Sequence, residues 1–103
     1  MKIIDKNLLL EFRLKPKCEA CGKRVQECDP HHIMTRGAGR VDIRCNLISL
    51  CVECHTGFHT SGKPSFFALL EIAAHREGTT PDEVLMKVWE IRRDTSMREK
   101  VIS

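Results

Sequence analysis

The chain lacks long hydrophobic runs, internal repeats and low-complexity segments. Its longest apolar stretch, Phe66 to Leu70, is too short to cross a bilayer, so no membrane-spanning segment and no membrane partner are expected. Charged side chains begin at Lys2, which argues against a secretion signal and favours a cytoplasmic protein. A length of 103 residues predicts one domain spanning 1–103.

Positive charge is concentrated in one part of the sequence. Residues 13 to 44 carry eight Lys or Arg and four acidic side chains, whereas residues 64 to 103 carry six basic and seven acidic ones. A local excess of positive charge favours a polyanion such as a phosphate backbone. A solvated face of mixed charge remains the alternative explanation.

Six cysteines in a short chain indicate either disulfides or a metal site. Without a secretion signal, and with two Cys-x-x-Cys pairs flanking a group of histidines, the metal site is favoured. Two such turns complete a closed tetrahedral S₄ site, which is typical of structural zinc. The predicted ligands are Cys18, Cys21, Cys51 and Cys54.

Cys28 and Cys45 remain outside this quartet. Free cysteines are more often small buried hydrophobic residues than ligands, and we expect that for both. Cys28 is the better candidate for a spare ligand because it lies three residues before His31.

Four of the five histidines fall between His31 and His59. Neighbouring residues on a strand point to opposite faces, so His31 and His32 should have different tasks, one of them metal ligation. His55 and His59 are four residues apart and share one face if that segment is helical. Ordinary surface or core histidines are the alternative, but they explain poorly why so many polar residues cluster between two Cys-x-x-Cys pairs.

The pattern predicts an α+β fold. We expect a helix over residues 5–15 with Asp5 as N-cap, strands over 31–35 and 43–50 joined by a Gly-rich loop, and a short helix carrying His55 and His59. Two further helices should occupy residues 64–94, the second opened by a Thr80 capping box, with the tail after Asp94 frayed or bound to a partner. The predicted inward-facing side chains are Leu8, Leu9, Phe12, Phe66, Phe67, Leu70, Ile72, Ala73, Val84, Leu85, Val88, Trp89 and Ile91.

Residues 18 to 59 resemble the HNH nucleases, which have the ββα-metal (His-Me finger) fold. The resemblance rests on the two Cys-x-x-Cys pairs, His31-His32-Ile33, the Gly-rich loop, Asn46-Leu47 and the histidines at 55 and 59. It implies a ββα-metal module (18–60) with a structural Cys₄ zinc, flanked by an N-terminal helix and a helical extension (64–94). Small members of this kind are encoded by phages or mobile elements.

The resemblance also implies a role for each matching residue. His31 and His55 would bind a catalytic divalent ion (Mg²⁺, Mn²⁺, Ni²⁺ or Zn²⁺), and His59 would be a third ligand or a phosphate contact. His32 would be the general base, and Asn46 would bond across the hairpin loop and hold His32 in place. Phosphate contacts are expected from Arg36, Arg40 and Arg44.

The implied activity is cleavage of DNA by a monomer or homodimer, with a phage packaging or recombination protein as a further partner. A nuclease acting on RNA would share the same chemistry. The competing hypothesis is a non-catalytic zinc-binding module that contacts nucleic acid or protein, which would need the cysteines but neither His32 nor Asn46.

Overall fold

The computed structural model describes residues 2–34, 40–93 and 99–102, and only the backbone of Glu99. In these residues it is a small mixed α+β fold of helices and short strands. No helix in the described part of the chain is long and apolar enough to cross a membrane. The elements in chain order are β1 (Lys2–Ile4), α1 (Lys6–Arg13), β2 (Asp29–His32), a 3₁₀ helix (Arg44–Asn46), β3 (Leu47–Leu50), α2 (Val52–Ser61), α3 (Phe66–Arg76), α4 (Pro81–Arg93) and β4 (Glu99–Val101).

Helix α1 begins where the sequence predicts. The Asp5 carboxylate accepts a hydrogen bond of 3.0 Å from the backbone N–H of Leu8, which caps the helix. Phe12 is fully buried, whereas Leu8 and Leu9 are half-buried. The helix ends at Arg13, before Pro16 can interrupt it.

Strands β2 and β3 form the antiparallel hairpin that carries the histidine pair. His31 lies opposite Ile48, and His32 opposite Leu47. The strand predicted for 31–35 begins earlier, at Asp29, and ends at His32. Beyond it, the backbone N–H of Met34 bonds to the Asn46 side chain instead of a strand partner. The start of the strand predicted for 43–50 is instead the 3₁₀ helix.

Helix α2 is longer than the sequence suggests, because both of its ends are capped. The Cys51 sulfur accepts from the N–H of Cys54, and Gly62 adopts a left-handed conformation (φ 69°) after the last turn. Gly57 lies inside this helix, where glycine usually costs stability. A Cβ built on Gly57 would lie 2.5 Å from the Lys63 carbonyl oxygen, so the close return of the chain requires glycine.

Helix α3 packs against β3 and the 3₁₀ helix, and α4 packs against α3 and the 3₁₀ helix. Both helices supply much of the core. Thr80 caps α4 as predicted, accepting from the N–H of Glu83 at 3.2 Å. Two predicted core side chains are wrong: Phe67 is exposed and stacks on Phe66, and Trp89 is exposed beneath the Arg93 guanidinium. The buried face of α3 consists of Leu69, Leu70, Ala73 and Ala74.

Strands β1 and β4 are absent from the sequence prediction. They pair in parallel, with Ile3 opposite Lys100, although they come from opposite ends of the chain. The expectation of a frayed tail is therefore wrong for residues 99–101, while residues 94–98 lie outside the described part. Ile3 also bridges to Val41, which places β1 beside the segment that follows the hairpin loop.

Candidate active site and metal centres

The four predicted cysteines form one cluster. One sulfur from each of Cys18, Cys21, Cys51 and Cys54 lies within 4.8 Å of the others. The sulfurs of Cys21 and Cys51 are 3.8 Å apart, close to the ~3.8 Å edge of a tetrahedron with Zn–S bonds of about 2.3 Å. The cluster is therefore compatible with a structural zinc ion.

The local backbone explains how the first Cys-x-x-Cys turn forms. The N–H of Gly22 bonds to the Cys18 carbonyl at 2.9 Å, and Gly22 has a φ of 78° that suits glycine. Burial raises the pKa of the Cys18 thiol, but hydrogen bonds from the backbone of Cys21, Cys51 and Ala20 outweigh it and lower the pKa to about 7. Burial is the main cause that raises the pKa values of Cys51 and Cys54, so a bound cation is needed for all four thiols to ionise together.

The other two cysteines are buried as expected. Cys28 donates through its sulfur to the carbonyls of Lys15 and Lys17, and burial raises its pKa. Cys45 lies in the hydrophobic core, where burial likewise raises its pKa. Neither belongs to a possible metal cluster among the described residues, and none of the six cysteines forms a disulfide.

A second cluster joins three histidines from two elements. One nitrogen from each of His31 on β2 and His55 and His59 on α2 lies within 4.8 Å of the others. The ring centroids of His31 and His55 are 5.2 Å apart, and Phe58 packs edge-on against His31 at 4.7 Å. Three imidazoles converging in this way can bind a divalent transition metal and leave further coordination positions for water or substrate.

His31 is the most informative member of this cluster. It is buried, and its Nε2 is the one buried side-chain nitrogen or oxygen in the described residues without a hydrogen-bond partner. Burial, reinforced by the neighbouring His55 and His59, lowers the pKa of His31 to about 4. A neutral imidazole that has a buried nitrogen without a hydrogen-bond partner and lies beside two other histidines fits a bound metal ion.

His32 serves a different part of the site, as strand alternation predicts. Its Nε2 lies 2.6 Å from Oδ1 of Asp42, a carboxylate with no exposed side-chain surface. Asp42 also accepts two hydrogen bonds from Arg40. Asp42 belongs to none of the predicted site residues, although a lone acid between the apolar residues Val41 and Ile43 indicates a buried carboxylate.

Asp29 is the second carboxylate that sequence analysis missed. Its Oδ2 lies 3.2 Å from Nδ1 of His55. Asp29 precedes His31 by two residues on β2, so the two side chains share a face of the strand. The two-residue spacing between Asp29 and His31 is therefore the feature of the sequence that indicates a role for Asp29 beside the histidine cluster.

Asn46 connects the two ends of the hairpin loop. Its Oδ1 accepts from the N–H of Met34 at 2.9 Å, and its Nδ2 donates to the carbonyl of Val41 at 2.9 Å. The loop-bridging contacts expected for this residue are thus present in the structure. Asn46 reaches His32 only indirectly, through the segment that contains Asp42.

Two of the three arginines expected to contact phosphate form ion pairs with carboxylates. Arg40 pairs with Asp42 through two nitrogens, and Arg44 pairs with Glu11 and Glu77. Each would have to leave its carboxylate to bind a phosphate, so their phosphate-binding role stays a prediction that the structure does not favour. Arg36 lies outside the described residues.

Comparisons with protein-family models, with curated proteins and with solved structures found no match for this chain. Any assignment of function therefore depends on the site itself.

Proposed function

We propose that this protein is a metal-dependent endonuclease of the HNH type that hydrolyses phosphodiester bonds in DNA. One observation carries the proposal: adjacent residues on β2 lie in two chemically different environments. His31 faces His55 and His59 as a possible ligand, whereas His32 pairs with a buried carboxylate. The order β2, β3, α2 and the Cys₄ cluster agree with the ββα-metal module that the resemblance implies.

The three histidines would hold the divalent ion. When bound, that ion supplies Lewis acidity toward the phosphate and the leaving 3′ oxygen. Imidazole ligands favour Mn²⁺, Ni²⁺ or Zn²⁺ over Mg²⁺. Phe58 covers one side of His31 and limits the access of water to that ligand.

His32 would act as the general base. A neutral imidazole can take a proton from water around neutral pH. Its hydrogen bond to Asp42 orients the ring and would stabilise the imidazolium that forms. Asn46 keeps the two ends of the hairpin loop together, so that His32 and Asp42 remain adjacent.

The proposal is tested by cleavage of supercoiled plasmid DNA with Mg²⁺, Mn²⁺, Ni²⁺, Zn²⁺ or EDTA. We expect metal-dependent nicking or linearisation that falls about 10²–10⁴-fold in His32→Ala. His75→Ala is the matched control, because His75 is exposed on α3 and belongs to neither cluster. Its activity should equal that of the wild type.

Two outcomes would contradict the proposal. Full activity in His32→Ala would remove this residue from the role of base. No cleavage with any ion, from folded and zinc-loaded protein, would instead favour a non-catalytic zinc-binding module. If RNA is cleaved in preference to DNA when the two compete, the proposed hydrolysis mechanism stands but the substrate is RNA.

A further inference from the structure

We propose that Asp42 is the positioning residue of this site: it fixes the His32 ring with its proton on Nε2, so that Nδ1 is the atom that receives the proton from water. This inference rests on the proposed nuclease function and specifies which atom of the base reacts. No motif in the sequence assigns a role to Asp42.

The surroundings of Asp42 keep it ionised. Its carboxylate accepts from Nε and Nη2 of Arg40 at 2.9 and 2.8 Å, and from the backbone N–H of Asp5 at 2.9 Å. Burial raises the pKa of Asp42, but these hydrogen bonds, together with the one from His32, outweigh it, and the pKa lies below its usual value. An ionised carboxylate has acceptor sites only.

The protonation pattern of His32 follows from this. Because the Asp42 carboxylate cannot donate, the 2.6 Å contact requires a proton on Nε2 of His32. A neutral imidazole carries one N–H, so Nδ1 then holds the free lone pair. When water gives a proton to Nδ1, a hydroxide and an imidazolium form, and the buried carboxylate offsets the new positive charge.

The fold holds Asp42 from two directions. On one side, the N–H of Asp42 donates to the carbonyl of Ile3 at 2.8 Å, and the N–H of Ile3 donates to the carbonyl of Arg40 at 2.8 Å. On the other side, the Asn46 amide donates to the carbonyl of Val41. The carboxylate therefore sits on a segment anchored both to β1 and to the 3₁₀ helix.

Solution NMR on the zinc-loaded wild-type protein tests the tautomer without requiring any activity. At about pH 8, ¹⁵N-labelled histidine should show His32 with a protonated Nε2 and an unprotonated Nδ1, the signal being assigned by its loss in His32→Ala. The reverse tautomer would overturn the inference whether or not the protein cuts DNA. The expected tautomer without nuclease activity would refute the proposed function while leaving the pairing of Asp42 with His32 intact.

Kinetics then separate positioning from a merely structural role. In Asp42→Asn we expect kcat to fall by about 10²–10⁴-fold with little change in KM, because the base is misoriented while DNA binding persists. In a His32→Ala background the same substitution should change kcat by less than about twofold, because Asp42 acts through His32. An equally large second loss would mean that Asp42 acts independently of His32 and would contradict the proposal.

Folding of the variant is checked by its zinc content and thermal melt before kinetics are compared. If Asp42→Asn does not fold, the wild-type tautomer still tests the pairing, because a proton on Nδ1 of His32 would exclude it.

Discussion

The carboxylate of Asp29 on β2 lies 3.2 Å from Nδ1 of His55 on α2. This contact joins the strand and the helix that supply the three-histidine cluster. A carboxylate that accepts from one imidazole nitrogen leaves the other free to bind a metal ion and orients the ring toward it.

Replacing Asp29 with Asn should therefore weaken divalent-ion binding about 10–100-fold while leaving the Cys₄ zinc in place. Titration calorimetry with Mn²⁺ or Ni²⁺ on zinc-loaded protein measures the effect. Glu27→Gln is the matched control, since Glu27 is exposed and near in sequence but outside the cluster. Equal affinity in Asp29→Asn and wild type would show that the contact does not influence the metal.

Cys51→Ser should lose the structural zinc and the cooperative unfolding transition. Cys51 is buried, belongs to the Cys₄ cluster and caps α2, so both folding energy and helix geometry depend on it. Cys28→Ser is the control, because Cys28 is equally buried but outside the cluster. Elemental analysis should give the same zinc content in the control as in the wild type, and zinc loss there would overturn the assignment of the quartet.

Asn46→Ala should lower the free energy of unfolding by about 2 kcal/mol or more. The substitution leaves the N–H of Met34 and the carbonyl of Val41 without their partners beside a fully buried position. Urea unfolding measures the loss. A change below about 0.5 kcal/mol would show that the amide does not hold the loop.

Gly57→Ala should destabilise the protein, although the same change within an ordinary helix stabilises by roughly 0.5–1 kcal/mol. The new Cβ would lie 2.5 Å from the Lys63 carbonyl oxygen, so the backbone must shift between His55 and His59. We expect a lower melting temperature and weaker Mn²⁺ binding. Thr56→Ala, at an exposed neighbouring position of α2, should show neither effect, and a stabilised Gly57→Ala would refute the close approach.

His31 should make the protein less stable as the pH falls when no divalent ion occupies the histidine cluster. Its pKa is about 4 in the folded state and near 6.5 when unfolded, so between these values the unfolded chain binds the additional proton. Stability is complete above about pH 6.5 and declines as the pH falls toward 4. Urea unfolding from pH 7.5 to 5.5 gives the free energy of unfolding as a function of pH, and its slope should be smaller in His31→Leu than in the wild type. Equal slopes in the two proteins would mean that His31 is protonated in the folded protein.

Short-range patterns determined much of this site from the sequence alone. A Cys-x-x-Cys turn, a His-x-x-x-His pair on a helix and an Asp N-cap each specify a geometry within a few residues. For that reason the Cys₄ cluster, helix α2 and the start of α1 could be predicted, together with the separation of His31 from His32.

Only the tertiary structure determined the partners of these residues. Asp42 meets His32 ten residues away, and it is buried because β1 and the 3₁₀ helix anchor its segment. Similarly, β1 and β4 pair across the whole chain, and the exposure of Trp89 depends on which face of α4 meets the core. Local propensity cannot encode such contacts, because they become favourable only once distant segments have packed together and excluded water.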